Sequence, residues 1–278
     1  STDRLRLLLS LTPELVSLRV KTIYSMFLLE PIVTSDGQTK PLLPKLKEIK
    51  CDFYNDKDLL ELQKNYPQLT KLKANVTTFH YDLDQESIYE MSPAKLHRVL
   101  SGFGELKNLK TLDIWLDFEQ SDEYKIWPHI RQVADGCRQL NRLSICLSAV
   151  QVNQCNFLSV LNCFRSLTSL QVMISHDIHN KWNKSHHDDG CSSLTNLNKL
   201  TKLKHLNLSY ERLTDKDFAG IGKSLPQLET LFVWSKRMLT DRTLEHCSQI
   251  KTLKLLRLLA QVTSVHSYGK LKEWAFRW

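Results

Sequence analysis

Residues 213–233 read LTDKDFAGIGKSLPQLETLFV, and residues 239–255 read LTDRTLEHCSQIKTLKL. Both open on Leu-Thr-Asp, and both then space apolar residues by three or four: Phe218, Ile221 and Leu225 in the first, Leu244 and Cys247 in the second. A Thr or Asp just ahead of such a run accepts hydrogen bonds from the unpaired amides of a first helical turn. Each stretch closes on an apolar triplet, Leu228-Leu231-Val233 and Ile250-Leu253-Leu255. The second and third members of the triplet alternate with polar residues, which is the period of a short strand with one buried face. The local unit is therefore a capped helix, a turn and a strand.

The same triplet recurs outward from these two copies. It stands at Leu15-Leu18-Val20, Leu46-Ile49-Cys51, Leu69-Leu72-Ala74, Leu109-Leu112-Ile114, Leu140-Leu143-Ile145, Leu167-Leu170-Val172 and Leu203-Leu206-Leu208, and a tenth copy is Leu271-Trp274-Phe276. Pro13, Pro44, Pro67 and Pro226 each precede the first Leu by two residues, where a missing N–H breaks no ladder bond. Thr2-Asp3 leading into Leu5, Leu8 and Leu9 gives a further helix start. Neither a lone strand nor a lone helix of this size buries its own apolar side, so successive repeats must stack.

With its Leu-Thr-Asp starts at Leu213 and Leu239, and with Cys247 and Cys137 each three residues before the next triplet, the chain resembles the leucine-rich repeat family. The subclass it is most similar to is the cysteine-containing one found in F-box proteins. That resemblance implies an α/β leucine-rich repeat solenoid, a horseshoe with a parallel concave sheet and convex helices. About ten repeats of irregular length would form a single domain over 1–278, with long insertions near 77–105, 117–135 and 175–199. It also implies protein–protein recognition: the repeat region of such a ubiquitin ligase receptor holds the substrate, while a separate F-box docks the Skp adaptor and cullin. No F-box motif is present in this chain, so those two partners are expected only through a segment outside it.

Stacked strands leave their alternate residues on one continuous face. Candidate partner-binding residues on it are Arg19, Lys21, Lys50, Lys71, Lys73, Trp115, Arg142, Met173, His205, Phe232, Trp234 and Lys254. Aromatics and Arg on such a face are the side chains that most often dominate partner binding. The first repeats are basic, which keeps RNA binding, with Trp115 or Trp234 stacking on bases, as an alternative function. A leucine-rich repeat scaffold or regulator unrelated to ubiquitin is the other. In the ninth repeat the outward residues read as Thr252, Lys254 and Leu256.

Composition narrows the classes further. The chain has 278 residues, 42% hydrophobic and 24% charged, with eight Gly, eight Pro and a net charge of +8. These values suit a globular protein and exclude collagen-like or linker-rich chains. No apolar run long enough to span a bilayer occurs, so no membrane association is expected. Seven cysteines without short paired spacings fit a reducing compartment, cytoplasmic or nuclear. No phosphate loop, nucleophile elbow, HExxH pair or dinucleotide fingerprint is present, so an enzyme is not expected and neither is a cofactor. The segment with His176, His179, His186, His187, Asp188, Asp189 and Cys191 has metal-ligand residue types, but its spacing matches no zinc pattern. It reads as a solvated loop. Helices are expected from Pro93 to Leu100 and within 117–135.

Overall fold

Leu15, Leu46, Leu69, Leu109, Leu140, Leu167, Leu203, Leu228 and Leu253 each donate a backbone N–H to the carbonyl three residues earlier. One tight turn thus precedes every strand of the parallel series and sets its phase. A computed structural model describes residues 2–20, 31–33, 36–53, 56–77, 79–82, 87–90, 92–117, 127–148, 154–175, 193–210, 213–237, 239–261 and 271–277. The chain divides into two compact units, Ser1–Phe118 with Glu123–Leu140, and Glu119–Asp122 with Asn141–Trp278.

The N-terminal unit contains α1 (Thr2–Ser10), β1 (Ser17–Arg19), β2 (Ile32–Val33), β3 (Thr39–Lys40), β4 (Glu48–Phe53) and α2 (Asp56–Asn65). It continues with β5 (Lys71–Thr77), β6 (Phe79–Asp82), β7 (Ser87–Glu90), α3 (Pro93–Phe103), β8 (Thr111–Asp117) and α4 (Trp127–Gly136). β1, β4, β5 and β8 pair in parallel, in phase, with Leu18 on Ile49, Ile49 on Leu72 and Leu72 on Leu112. β2 with β3 and β6 with β7 are antiparallel hairpins set off from that sheet. The expected helix at Pro93 is present, and its Ser92 side chain accepts from the Lys95 amide. α3 and α4 approach closely at their C-terminal ends. A Cβ on Gly136 would lie 1.7 Å from the Gly104 carbonyl oxygen, so the contact requires glycine.

The C-terminal unit contains β9 (Arg142–Ser148), α5 (Gln154–Leu161), β10 (Ser169–Ser175), β11 (His205–Tyr210), α6 (Ile221–Ser224), β12 (Thr230–Ser235), α7 (Asp241–Ser248), β13 (Leu255–Gln261) and β14 (Leu271–Arg277). β9 to β13 pair in parallel with Leu143, Leu170, Leu206, Leu231 and Leu256 in one row. β14 departs from the expected series, because it runs antiparallel to β13, with Trp274 opposite Leu258. The tenth triplet therefore closes the sheet instead of adding a further parallel repeat.

The chain is thus an α/β protein whose helices flank parallel strands. In both units the inward row is dry: Ile49, Leu72, Ala74, Leu112, Ile114, Leu143, Leu170, Leu206, Leu231 and Val233 are all buried. Burial of one such leucine contributes about 1.5–3 kcal/mol relative to leaving it in water. Thr12 opens the first turn and is exposed, but the residue that opens each later turn is buried too: Leu43, Tyr66, Leu106, Cys137, Phe164, Leu200, Leu225 and Ile250. The structural repeat is therefore one step longer than the triplet, reading apolar-x-x-Leu-x-x-Leu-x-apolar.

That extra position corrects the ninth repeat. Thr230 pairs with Leu255 and Leu231 with Leu256, so the triplet there is Leu253-Leu256-Leu258 and Ile250 opens the turn. Leu256 is buried instead of outward, and Leu255 is outward instead of buried. Cys247 and Cys137 consequently occupy different places, since Cys137 opens a turn as Ile250 does. Its Sγ donates to the Phe103 carbonyl at 3.1 Å, and burial pushes its thiol up to about 12.

Successive strands are joined by a second recurring device. The carbonyl of Val16 accepts from the amides of both Lys47 and Glu48, and Lys47 from Thr70 and Lys71. The carbonyls of Thr70, Asn141, Thr168, Lys204 and Glu229 do the same for the strands that follow them.

The Leu-Thr-Asp signal resolves into a cap shared between repeats. Asp215 accepts from the Thr240 amide at 2.8 Å, the Thr240 hydroxyl at 2.6 Å and the Thr243 hydroxyl at 2.5 Å. Thr240 in turn caps α7, with its oxygen accepting from the Arg242 amide. Burial alone raises the Asp215 carboxyl, but the Thr240 and Thr243 donors outweigh it and hold the group below the usual carboxylate range. The first copy differs from the expected continuous helix over Phe218, Ile221 and Leu225. A short 3-10 turn at Asp215–Phe218 is followed by α6, and Gly220 between them sits at φ 79°. That left-handed residue breaks the helical path.

Candidate binding surface

The alternate residues of each sheet fall into three rows that follow the strand register. In the N-terminal unit the first row is Ser17, Glu48, Lys71 and Thr111, and the second is Arg19, Lys50, Lys73 and Asp113. The third runs Asp52, Asn75 and Trp115. Charges of opposite sign lie side by side on these rows. Lys71 Nζ stands 3.6 Å from Glu48, Lys73 Nζ 2.5 Å from Asp113, and Asn75 donates to Asp52 at 2.6 Å. The basic character expected of the first repeats is largely balanced across the strands. Trp115 is the exception, 51% exposed at the end of its row. Arg19 is exposed, Lys50 half-buried, and Lys21 lies outside the described residues.

The C-terminal unit presents a different chemistry on the same backbone. Its first row is Arg142, Ser169, His205, Thr230 and Leu255; its second is Ser144, Gln171, Asn207, Phe232 and Arg257. The third is Cys146, Met173, Ser209, Trp234 and Leu259. None of these fifteen positions is Asp or Glu. Met173 is 39% and Leu255 36% exposed, while Phe232 and Trp234 are half-buried. The Arg257 guanidinium lies 5.4 Å from the Phe232 ring centre, a cation–π contact. His205 Nδ1 meets the Thr230 hydroxyl at 3.1 Å. Arg142 is exposed at the start of its strand.

Lys254 does not join these rows. It precedes the first ladder residue and reaches Glu229 at 2.7 Å, while Lys204 reaches the other carboxylate oxygen at 3.1 Å. Lys254 and then Lys204 hold the Glu229 carboxyl down to about 2. Arg257, Leu255 and Leu259 were missed from the sequence, because the three-residue misalignment of the ninth repeat assigned their places to Thr252, Lys254 and Leu256. The turn-opening Ile250 is the signal that finds them.

A second polar cluster lies on the helical side of the N-terminal unit. The His97 and His129 rings stack with centres 4.2 Å apart, and Ser101 Oγ stands 3.0 Å from His129 Nδ1. Burial and then the charge of His129 lower the pKa of His97, whose Nε2 is buried with no hydrogen-bond partner among the described residues. The His176–Cys191 segment lies outside the described residues. Among those that are described, no three metal-ligating side chains converge, and no helix is long and apolar enough to cross a membrane. No protein-family model matches the chain, and no curated protein matches it.

Proposed function

We propose that the chain is a non-catalytic protein-recognition module of leucine-rich repeat type, reading its target with the outward sheet face of the C-terminal unit. The observation that carries this reading is the row Met173, Ser209, Trp234 and Leu259 beside Phe232 and Arg257. Large apolar and aromatic groups held in register on a rigid sheet are the composition of an interface centre, and their partial exposure has no folding advantage. The resemblance to F-box repeat proteins extends the proposal: the target is a substrate delivered to a cullin-type ubiquitin ligase in the cytoplasm or nucleus. An RNA-binding role for the N-terminal strands has less support, because Lys71 and Lys73 are engaged by carboxylates.

The test is affinity purification of the tagged protein from cells, beside its Trp234→Ala and Met173→Asp variants. Co-purifying chains that vanish with both variants support recognition by this face. Retention of every partner by both variants would remove it. Recovery of a Skp adaptor and a cullin supports the ligase assignment, and targets recovered without either favour an unrelated scaffold.

A further inference from the structure

Resting on that reading of the face, we infer its partner class: a polypeptide segment in which a large apolar anchor lies within a few residues of Asp or Glu. Two independent features of the C-terminal unit point there. The first is shape. Ser209 is registered between Met173 and Trp234, so a short side chain separates two long ones. With strands about 4.8 Å apart, the backbone positions of those two residues stand roughly 10 Å from each other across Ser209, room for one inserted leucine or aromatic side chain above it.

The second feature is charge. The fifteen outward positions hold Arg142, Arg257 and His205 and no carboxylate. At the entry edge Glu229 is engaged by both Lys204 and Lys254, which leaves that edge with one excess positive charge. Arg257 lies over the Phe232 ring, which places a cation beside the notch, and Arg142 is exposed at the start of its strand. β14 adds Arg277 opposite Leu255 and Glu273 opposite Leu259 to this face, so the apolar notch is rimmed by three arginines against one carboxylate, and cations remain in excess. The N-terminal unit lacks this asymmetry, since Glu48, Asp52 and Asp113 share its rows with the lysines.

A nucleic acid fits the same face less well. Phosphate-driven binding draws on several cations tracking a backbone, whereas Met173, Leu255 and Leu259 occupy the intervening places. Five strands span about 20 Å, which an extended segment of about seven residues crosses.

The experiment is selection of a displayed random library of peptides about 12 residues long on the whole chain, a length that covers the span. An enriched sequence is then measured by fluorescence anisotropy, at about 150 mM salt so that surface attraction is screened. The expected consensus places Leu, Phe or Trp within three residues of Asp or Glu. Its Kd should rise roughly tenfold or more with Trp234→Ala and with Arg142→Glu or Arg257→Glu, and remain within about twofold with Lys73→Glu. Arg142 is exposed, so its variant keeps the test sound if Trp234→Ala unfolds. A neutral or basic consensus that still depends on Trp234 and Met173 overturns the acidic class and leaves the recognition face standing. Binding indifferent to Trp234, Met173 and Arg142 overturns both. An empty selection, or an oligouridine probe that binds through Trp234 where no peptide does, also overturns the inference.

Discussion

The two units repeat the same strand phase and carry opposite chemistry on it. In the N-terminal unit each outward cation of β5 has a carboxylate on a neighbouring strand, Lys71 with Glu48 and Lys73 with Asp113. In the C-terminal unit the equivalent rows hold Met173, Phe232, Trp234 and Arg257. The inward rows of both are alike, leucine on leucine. Backbone phase is thus specified entirely from inside, which leaves the outward residues free to diverge. Exposed ion pairs such as Lys73–Asp113 add little stability, about 0–1 kcal/mol, so the N-terminal pattern is better understood as neutralisation of a surface than as support for the fold.

Breaking the shared ladder should have the largest effect. Leu231→Asp and Leu112→Asp each place a carboxylate at a fully buried position, at a cost of several kcal/mol. Urea melts followed by circular dichroism should show both variants unfolded or nearly so. A well-folded Leu112→Asp beside an unfolded Leu231→Asp would mean that the two inward rows are not equivalent after all.

Next in size is the outward contrast itself. Trp234→Ala should weaken partner binding by about 2 kcal/mol or more, and Lys73→Ala by less than about 0.5 kcal/mol. Titration calorimetry with the identified partner reads both, and a reversal of that order would invert the roles of the two faces.

The shared cap sharpens the comparison on the C-terminal side. Asp215→Ala leaves the buried Thr243 hydroxyl without its acceptor and should cost about 1–3 kcal/mol. The Asp215 carboxyl titrates below its unfolded value, so its contribution is complete above about pH 4 and lost as the pH falls through the folded pKa. Denaturant midpoints of wild type and variant should therefore converge in strong acid. A difference that persisted there would mean that the ionised carboxylate is not what caps α7.

The smallest effect belongs to the N-terminal unit. His97 has its pKa lowered in the fold, so the stability it confers as a neutral ring is intact above about pH 6.5 and declines as protons bind below that. His97→Gln should flatten the fall of the melting temperature below about pH 6.5. An unchanged slope would show that the stacked His97–His129 pair does not govern it.

How much of this was legible follows from which faces carry contrast. Where outward residues are polar, as in HLNLSY at β11 or KLKANVT at β5, period-2 alternation reveals the phase directly. In LLRLLAQ at β13 leucine occupies both faces, and the alternation vanishes. The triplet then fits equally well three residues early, and Lys254 and Leu256 were assigned outward places that belong to Arg257 and Leu259. The turn-opening residue resolves this, but it is Thr, Leu, Tyr, Cys, Phe or Ile in different repeats, too varied to stand out. Cross-strand pairs such as Lys73–Asp113 are 40 residues apart in sequence, so the balancing of the basic end was invisible before strand order was known. The antiparallel return of β14 also left no mark, because a triplet reads the same in either direction of pairing.

The carbonyls that each accept two amides from the following strand register only the arrival of those amides. Nothing in that contact records how much polypeptide was travelled beforehand: Lys110 follows Thr70 by 40 residues and Thr230 follows Lys204 by 26. Connecting segments of this architecture are accordingly open to substitution. A fluorescent reporter or a foreign hairpin spliced into one of them would alter the molecule's outline while every rung stayed where it is.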